Sequence, residues 1–167
     1  MAVRSIRLFG DPVLKSALDP AVPGPDGFDE GVRALVADLV DSVQLPGRAG
    51  VAANQIGATL RVFSYNVDGR VGYLINPEII ETRGEKTMVG EGCLSVPGLW
   101  FDTARYPWAR ARGFDVDGNE VFVEGDGVLA QALQHETDHL NGLLYLDRLD
   151  KDARRQAMKQ VRDSDWF

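Results

Sequence analysis

Residues 61–80, RVFSYNVDGRVGYLINPEII, decide the fold. Two β-branched and aromatic runs flank Asp68-Gly69, a dipeptide that readily takes the positive φ values of a tight two-residue turn, so the stretch reads as an antiparallel hairpin. The same pattern extends from Thr59 to Glu124. Further turn dipeptides stand at Arg83-Gly84 and Asp117-Gly118, with ARGFDV before the second and NEVFVE after it. The middle of the chain is therefore read as antiparallel β.

Helical periodicity appears on both sides. In 28–44, Phe28, Val32, Leu35, Val36, Leu39, Val40 and Val43 share one face, with Asp26 as the expected N-cap and the Pro/Gly-rich 19–27 as a surface loop. A second helix is expected through VLAQALQHETDHL, residues 128–140, capped by Asp126 and ended by Gly142 after Asn141. The segment 151–163, KDARRQAMKQVRD, reads as a short charged helix packed by Ala153, Met158 and Val161, or as a frayed tail. The expected fold class is α+β: small antiparallel sheets around a central helix, residues 128–140, in a single domain over 1–167.

With 167 residues, the chain has the length of one ordinary domain. A formal charge of −7 argues against general affinity for nucleic acid, and the apolar runs are too short to span a bilayer. The opening lacks the apolar core of a secretory signal, so a cytoplasmic location with no membrane association is expected. One cysteine excludes an internal disulfide and leaves Cys93 as a buried thiol, a nucleophile or a metal ligand.

The chain's only two histidines fall in His135-Glu136-Thr137-Asp138-His139. On a helix the two imidazoles lie about 40° apart around the axis and one turn apart along it, so both reach one metal ion. Glu136 lies about 60° beyond His139, where it can touch water beside the ion without being a ligand. A catalytic site normally takes three protein ligands. Downstream of His139 there are only aspartates, and Cys93, in the glycine-rich GEGCLSVPG, is the better third ligand. In Gly50-Val51-Ala52-Ala53-Asn54-Gln55, read as a loop, small residues permit close backbone approach and Gln55 supplies an amide NH2 for a developing oxyanion. On the metal helix, Val128 and Ala132 share the histidine stripe as an apolar wall, with Gln131 at its border.

Together, GVAANQ, EGCLS and QHETDH resemble the three signature motifs of the peptide deformylase family, in that order and at about that spacing. The resemblance covers the whole chain, since IRLFGDPVLK resembles the family's opening and HLNGLLYLDRL resembles the segment after its metal helix. It implies that Cys93, His135 and His139 bind one divalent metal, and that Glu136 is the general acid/base. It further implies that Gln55 and the Leu94 N–H hold the oxyanion, and that Gly50 pairs with the substrate backbone. The methionine pocket is assigned to Val128 and Ala132 on the helix stripe. The implied ion is ferrous iron, with zinc, nickel or cobalt able to take its place in purified protein. The implied partners are N-formylmethionyl nascent polypeptides, with transient ribosome contact at the exit region.

One position departs from the motif. Arg48 stands where the family usually has glycine, and it is expected to line the cleft rim with its side chain in solvent. Of three rival readings, a structural metal module is disfavoured because no second cysteine or third histidine closes the site, and an ordinary zinc endopeptidase is disfavoured by the cysteine. An inactive formyl-peptide binder is disfavoured by the intact Glu136 and Gln55.

Overall fold

The computed structural model describes residues 2–167. A five-stranded antiparallel sheet runs in the order β1-β2-β3-β6-β7, built from Gly50–Ala52 (β1), Val62–Val67 (β2), Arg70–Arg83 (β3), Trp108–Phe114 (β6) and Glu120–Asp126 (β7). Thr87–Cys93 (β4) and Val96–Arg105 (β5) form a separate two-stranded sheet. Three helices complete the architecture: α1 (Glu30–Val43), α2 (Gly127–Leu140) and α3 (Lys151–Arg162).

The hairpin expected at Asp68-Gly69 is present. Asp68 and Gly69 have φ of 52° and 78°, and Val67 pairs with Arg70 across a two-residue turn. Asp117-Gly118 also lies between paired strands, but the connection is the longer loop 115–119. The Asp115 carboxylate accepts the N–H groups of Asp117 and Asn119 and lets the chain widen before Phe114 and Glu120 pair. Arg83-Gly84 is not a hairpin turn. Beyond it the chain leaves the large sheet, whose β3 pairs with β6, and begins the β4–β5 hairpin.

Strand β3 carries a register shift at Ile75/Glu78 that the sequence reading did not contain. Asn76 there has φ of 51°, and its side-chain amide bonds both the N–H and the C=O of Ala21, pinning the loop of residues 19–27 to the sheet.

Helix α1 begins two residues later than expected. Asp29, not Asp26, is the N-cap, accepting the Val32 N–H at 3.0 Å. Phe28 lies before the helix, buried in the core with its N–H on the Val116 carbonyl, while Asp26 sits inside the turn bridged by Gly24 and Gly27. Asp126 does precede α2, but its side chain makes no capping bond. At the other end Asn141 is the C-cap and Gly142 has φ of 79°. A methyl at Gly142 would stand 2.7 Å from the Lys15 carbonyl oxygen, so a left-handed residue without a side chain is required. The last segment is a full helix. Asp150 caps it, and Ala157 and Val161 carry its buried face, with Ala153 and Met158 only half-buried.

Two cores position the site. The larger lies between α1, α2 and the inner face of the five-stranded sheet, and it includes Leu39, Val51, Phe63, Leu74, Leu133 and Leu140. Each such side chain contributes about 1.5–3 kcal/mol over its exposed state. The smaller core packs Val96 and Leu99 of β5 against Tyr145, Leu146, Ala157 and Val161, with Cys93 at its edge. Helix α2 thus lies against the large sheet while its histidines face the β4–β5 hairpin.

Candidate metal centre and active-site cleft

Cys93 is the last residue of β4. Leu94 and Ser95 make the two-residue connection to β5, with Cys93 paired to Val96, and the thiol is thereby held at a tight bend facing α2. From α2, His139 is fully buried and His135 is 9% exposed. The Sγ of Cys93 lies 3.3 Å from His139 Nε2, which lies 3.1 Å from His135 Nε2, and the three donor atoms fall within 4.8 Å of one another. Metal–nitrogen and metal–sulfur bonds of about 2.0–2.3 Å in a tetrahedral shell place ligand atoms roughly 3.3–3.7 Å apart. The 3.1 and 3.3 Å separations are close to that span, and one thiolate with two imidazoles is a donor set that could hold a single divalent ion.

The far side of His135 is fixed by Glu91 of β4, whose Oε2 accepts from Nδ1 at 2.7 Å and leaves Nε2 turned toward the cysteine. Glu91 is in turn gripped by Arg105, through Nε at 2.9 Å and Nη2 at 2.6 Å. Arg105 also donates to Asp138 at 2.7 Å, and Asp138 accepts twice from Arg148. Burial alone would raise the Glu91 pKa, but the bonds from Arg105 and His135 outweigh it and hold the carboxyl at about 2. The network joins the EGCLS stretch to the HETDH helix by charge. Sequence reasoning missed it, although Glu91 and Asp138 lie inside the two quoted motifs.

Glu136 is 3% exposed, and its Oε1 lies 3.9 Å from His135 Nε2. Burial, supported by repulsion from Glu91 and Asp138 and opposed by His135 and Arg105, raises its pKa to about 7. Its Oε2 is buried with no hydrogen-bond partner among the described residues. A carboxyl group in that condition is suited to accept and return a proton near neutrality.

The stretch GVAANQ is not a loop. Gly50–Ala52 form the edge strand β1, and Ala53–Ile56 a 3-10 turn. Edge pairing of small residues escaped the sequence reading because it lacks the β-branched run that marks a strand. The turn buries Gln55 and fixes its amide: Oε1 accepts the Ala52 N–H at 2.9 Å. Nε2 therefore faces Ser95 Oγ at 3.1 Å and Cys93 Sγ at 3.7 Å.

A cleft of about 800 Å³ opens onto these groups, lined by Gly50, Gln55, Cys93 and Leu94 and by Val128, Ala132, His135 and Glu136 of α2. All the residues expected at the site thus border one space or its metal-ligand floor. Ala132 is buried, but Val128 is 54% exposed and stands at the mouth. Gln131 also lines the cleft, with its amide tied to the Gly90 carbonyl and to Glu91. Arg48 lines the rim as expected, but its guanidinium is not free in solvent. It is half-buried and donates to the Ser42 carbonyl at 2.9 Å, satisfying the end of α1.

A Cys-His-His donor set that could hold a metal, beside a buried glutamate at the floor of a cleft, is the chemistry that metal-dependent hydrolases use. A family model described as polypeptide deformylase matches residues 3–155. Peptide deformylase of Acidothermus cellulolyticus is 49% identical over 99% of this chain and 89% of its own length, and peptide deformylase 1 of Corynebacterium efficiens is 45% identical over 100% and 99%. Among solved structures, the peptide deformylase of Legionella pneumophila aligns with a TM-score of 0.87 at 33% identity, covering 97% of this chain and 95% of that one. The peptide deformylase of Ehrlichia chaffeensis in complex with actinonin aligns with a TM-score of 0.86 at 33% identity, covering 99% of both. The chain belongs to the polypeptide deformylase family, and it is an enzyme. No helix among the described residues is long and apolar enough to cross a membrane.

Proposed function

We propose that this chain hydrolyses the N-formyl group from the amino-terminal formylmethionine of newly made polypeptides, releasing formate and a free methionine amine. The observation that carries the reading is the meeting of the Cys93, His135 and His139 donor atoms with Glu136 and the fixed Gln55 amide at one end of a peptide-sized cleft. The resemblance makes ferrous iron the working ion, and the mixed thiolate and imidazole set is also compatible with zinc, nickel or cobalt. A divalent ion on these three ligands would supply a water of lowered pKa, near 7, at neutral pH.

The protein's own groups perform the rest. Glu136 takes a proton from the attacking water and returns it to the departing amine. As the formyl carbon becomes tetrahedral, charge grows on its oxygen, and the Gln55 Nε2 and the Leu94 N–H donate to it. One such donor is typically worth about 2.7–4 kcal/mol. The free edge of β1 at Gly50 pairs with the substrate backbone, while Ala132 and, at the mouth, Val128 flank the methionine side chain.

On this reading residues 1–167 work as one catalytic domain in the cytoplasm, meeting nascent chains during transient contact with the ribosome, with no nucleic-acid affinity of its own. The test is formate release from a formyl-Met peptide by protein prepared without oxygen, compared with Glu136→Gln. The variant should keep its metal and lose turnover by at least about two orders of magnitude. Activity within a few-fold of the parent would remove Glu136 from the proposed role.

A further inference from the structure

Trp100 is 70% exposed, yet it lines the same cleft as Cys93 and His135. Its indole lies across β4. A methyl at Gly90 would stand 2.5 Å from the indole Nε1, and one at Gly92 would stand 2.6 Å from Cε3, so both positions must be glycine for the ring to lie there. Gly90 is further fixed by the bond from Gln131 of α2 to its carbonyl. An aromatic ring with most of its surface in water, seated on two glycines of a rigid strand beside an active-site floor, has one face committed to the protein and another open to a ligand.

We propose that Trp100 is a specificity-determining residue, a platform that receives an apolar or aromatic side chain from the two residues following the substrate's methionine. Strand β4 advances about 3.3 Å per residue, so the indole bridges Gly92, the neighbour of Cys93, and Gly90, which lies roughly 10 Å along the strand from Cys93. An extended peptide advances at the same rate. With its formyl group at Cys93 and its methionine against Ala132, its second and third side chains come within reach of the indole. Val128, exposed at the same mouth, extends the apolar surface. The occupant is the substrate's own chain because this surface is continuous with the catalytic cleft.

The inference rests on the deformylase reading. Its test compares kcat/KM for formyl-Met peptides carrying Phe or Gly at the second and third residues. The parent should favour Phe by about three- to tenfold at one of them, mainly through KM, the scale of one aromatic contact. Trp100→Ala should abolish that preference and Trp100→Phe retain it. Met88→Ala removes an exposed side chain of β4 that does not line the cleft, and it should leave the preference intact.

A preference that survives Trp100→Ala would overturn the proposal. So would an equal fall in kcat on every peptide, which marks a structural role. An independent readout is the change in tryptophan fluorescence when an unformylated Met-Phe peptide is added, which should vanish in Trp100→Ala. No formate from any peptide would sink the deformylase reading alone, whereas fluorescence that no peptide alters would sink the Trp100 platform.

Discussion

Gly50 and Glu136 are packed so closely that a methyl on Gly50 would stand 2.6 Å from the glutamate Oε1 and 2.7 Å from its Cγ. The edge strand therefore sets the position of the buried carboxyl to which the proposed mechanism gives the proton transfer. A Gly50→Ala substitution must push Glu136 away or bend β1. A shift of about 1 Å at a reacting group can cost about a hundredfold in rate. The expected outcome is a fall in kcat of at least tenfold with metal content unchanged, read by steady-state kinetics beside elemental analysis. Unaltered kcat would show that Glu136 has room to move without consequence.

Cys93 supplies the only thiol of the donor set. Two histidines on one helix bind a divalent ion weakly, so Cys93→Ala should lose its metal on dialysis while the parent retains about one per chain. Full occupancy in the variant would exclude the cysteine as a ligand.

Arg105 is 4% exposed and bonds two buried carboxylates, Glu91 and Asp138. Replacing it with Leu leaves both with too little positive charge. Breaking a buried pair from one side costs about 3–5 kcal/mol. Glu91 would also lose what holds it against His135, and loss of such an orienting group lowers metal affinity by about ten- to a hundredfold. Urea unfolding and metal titration of Arg105→Leu should show both effects, and a variant with parental values for each would deny the network its role.

Asp147 contributes a pH-dependent part of stability. Burial raises its pKa, but the Leu144 N–H, Lys15 and Arg154 together hold it below 3.8. A carboxyl depressed in the folded state adds stability that is fully present above its unfolded pKa and is lost as pH falls through the folded one. Lys15 and Arg154 are partly exposed, which limits the contribution to about 1 kcal/mol. Asp147→Asn should therefore lower the urea midpoint more at pH 7 than at pH 3. An equal loss at both values would contradict the assignment.

The sequence made the candidate metal centre legible because its two histidines share one helix, where i and i+4 spacing translates directly into a shared face. Cys93 followed from the shortage of other ligands. The hairpin at Asp68-Gly69 was legible for a similar reason: its geometry is set by two adjacent residues. Arg105 was hidden because its partners lie 14 and 33 residues away, and no local pattern encodes which strand will meet which helix. The sequence points to Asp26 as the α1 cap, whereas Asp29 caps it with Phe28 entering the core ahead of the helix, a tertiary event. Arg48 was placed correctly at the rim, but its bond to Ser42 depends on the path of the loop after α1. The small-residue strand β1 has almost no β propensity of its own and exists because β2 is there to pair with it.

The central claim is that these residues are arranged around a formyl carbon. That carbon bears only hydrogen, so the Gln55 amide and the Leu94 N–H can close on its oxygen, whereas an acetyl methyl would occupy the space of approach. Specificity constants measured side by side for formyl-Met and acetyl-Met versions of one peptide test this most directly. The account predicts a preference for the formyl peptide of at least about a hundredfold, the cost of a misplacement near 1 Å. Comparable constants for the two peptides would contradict it.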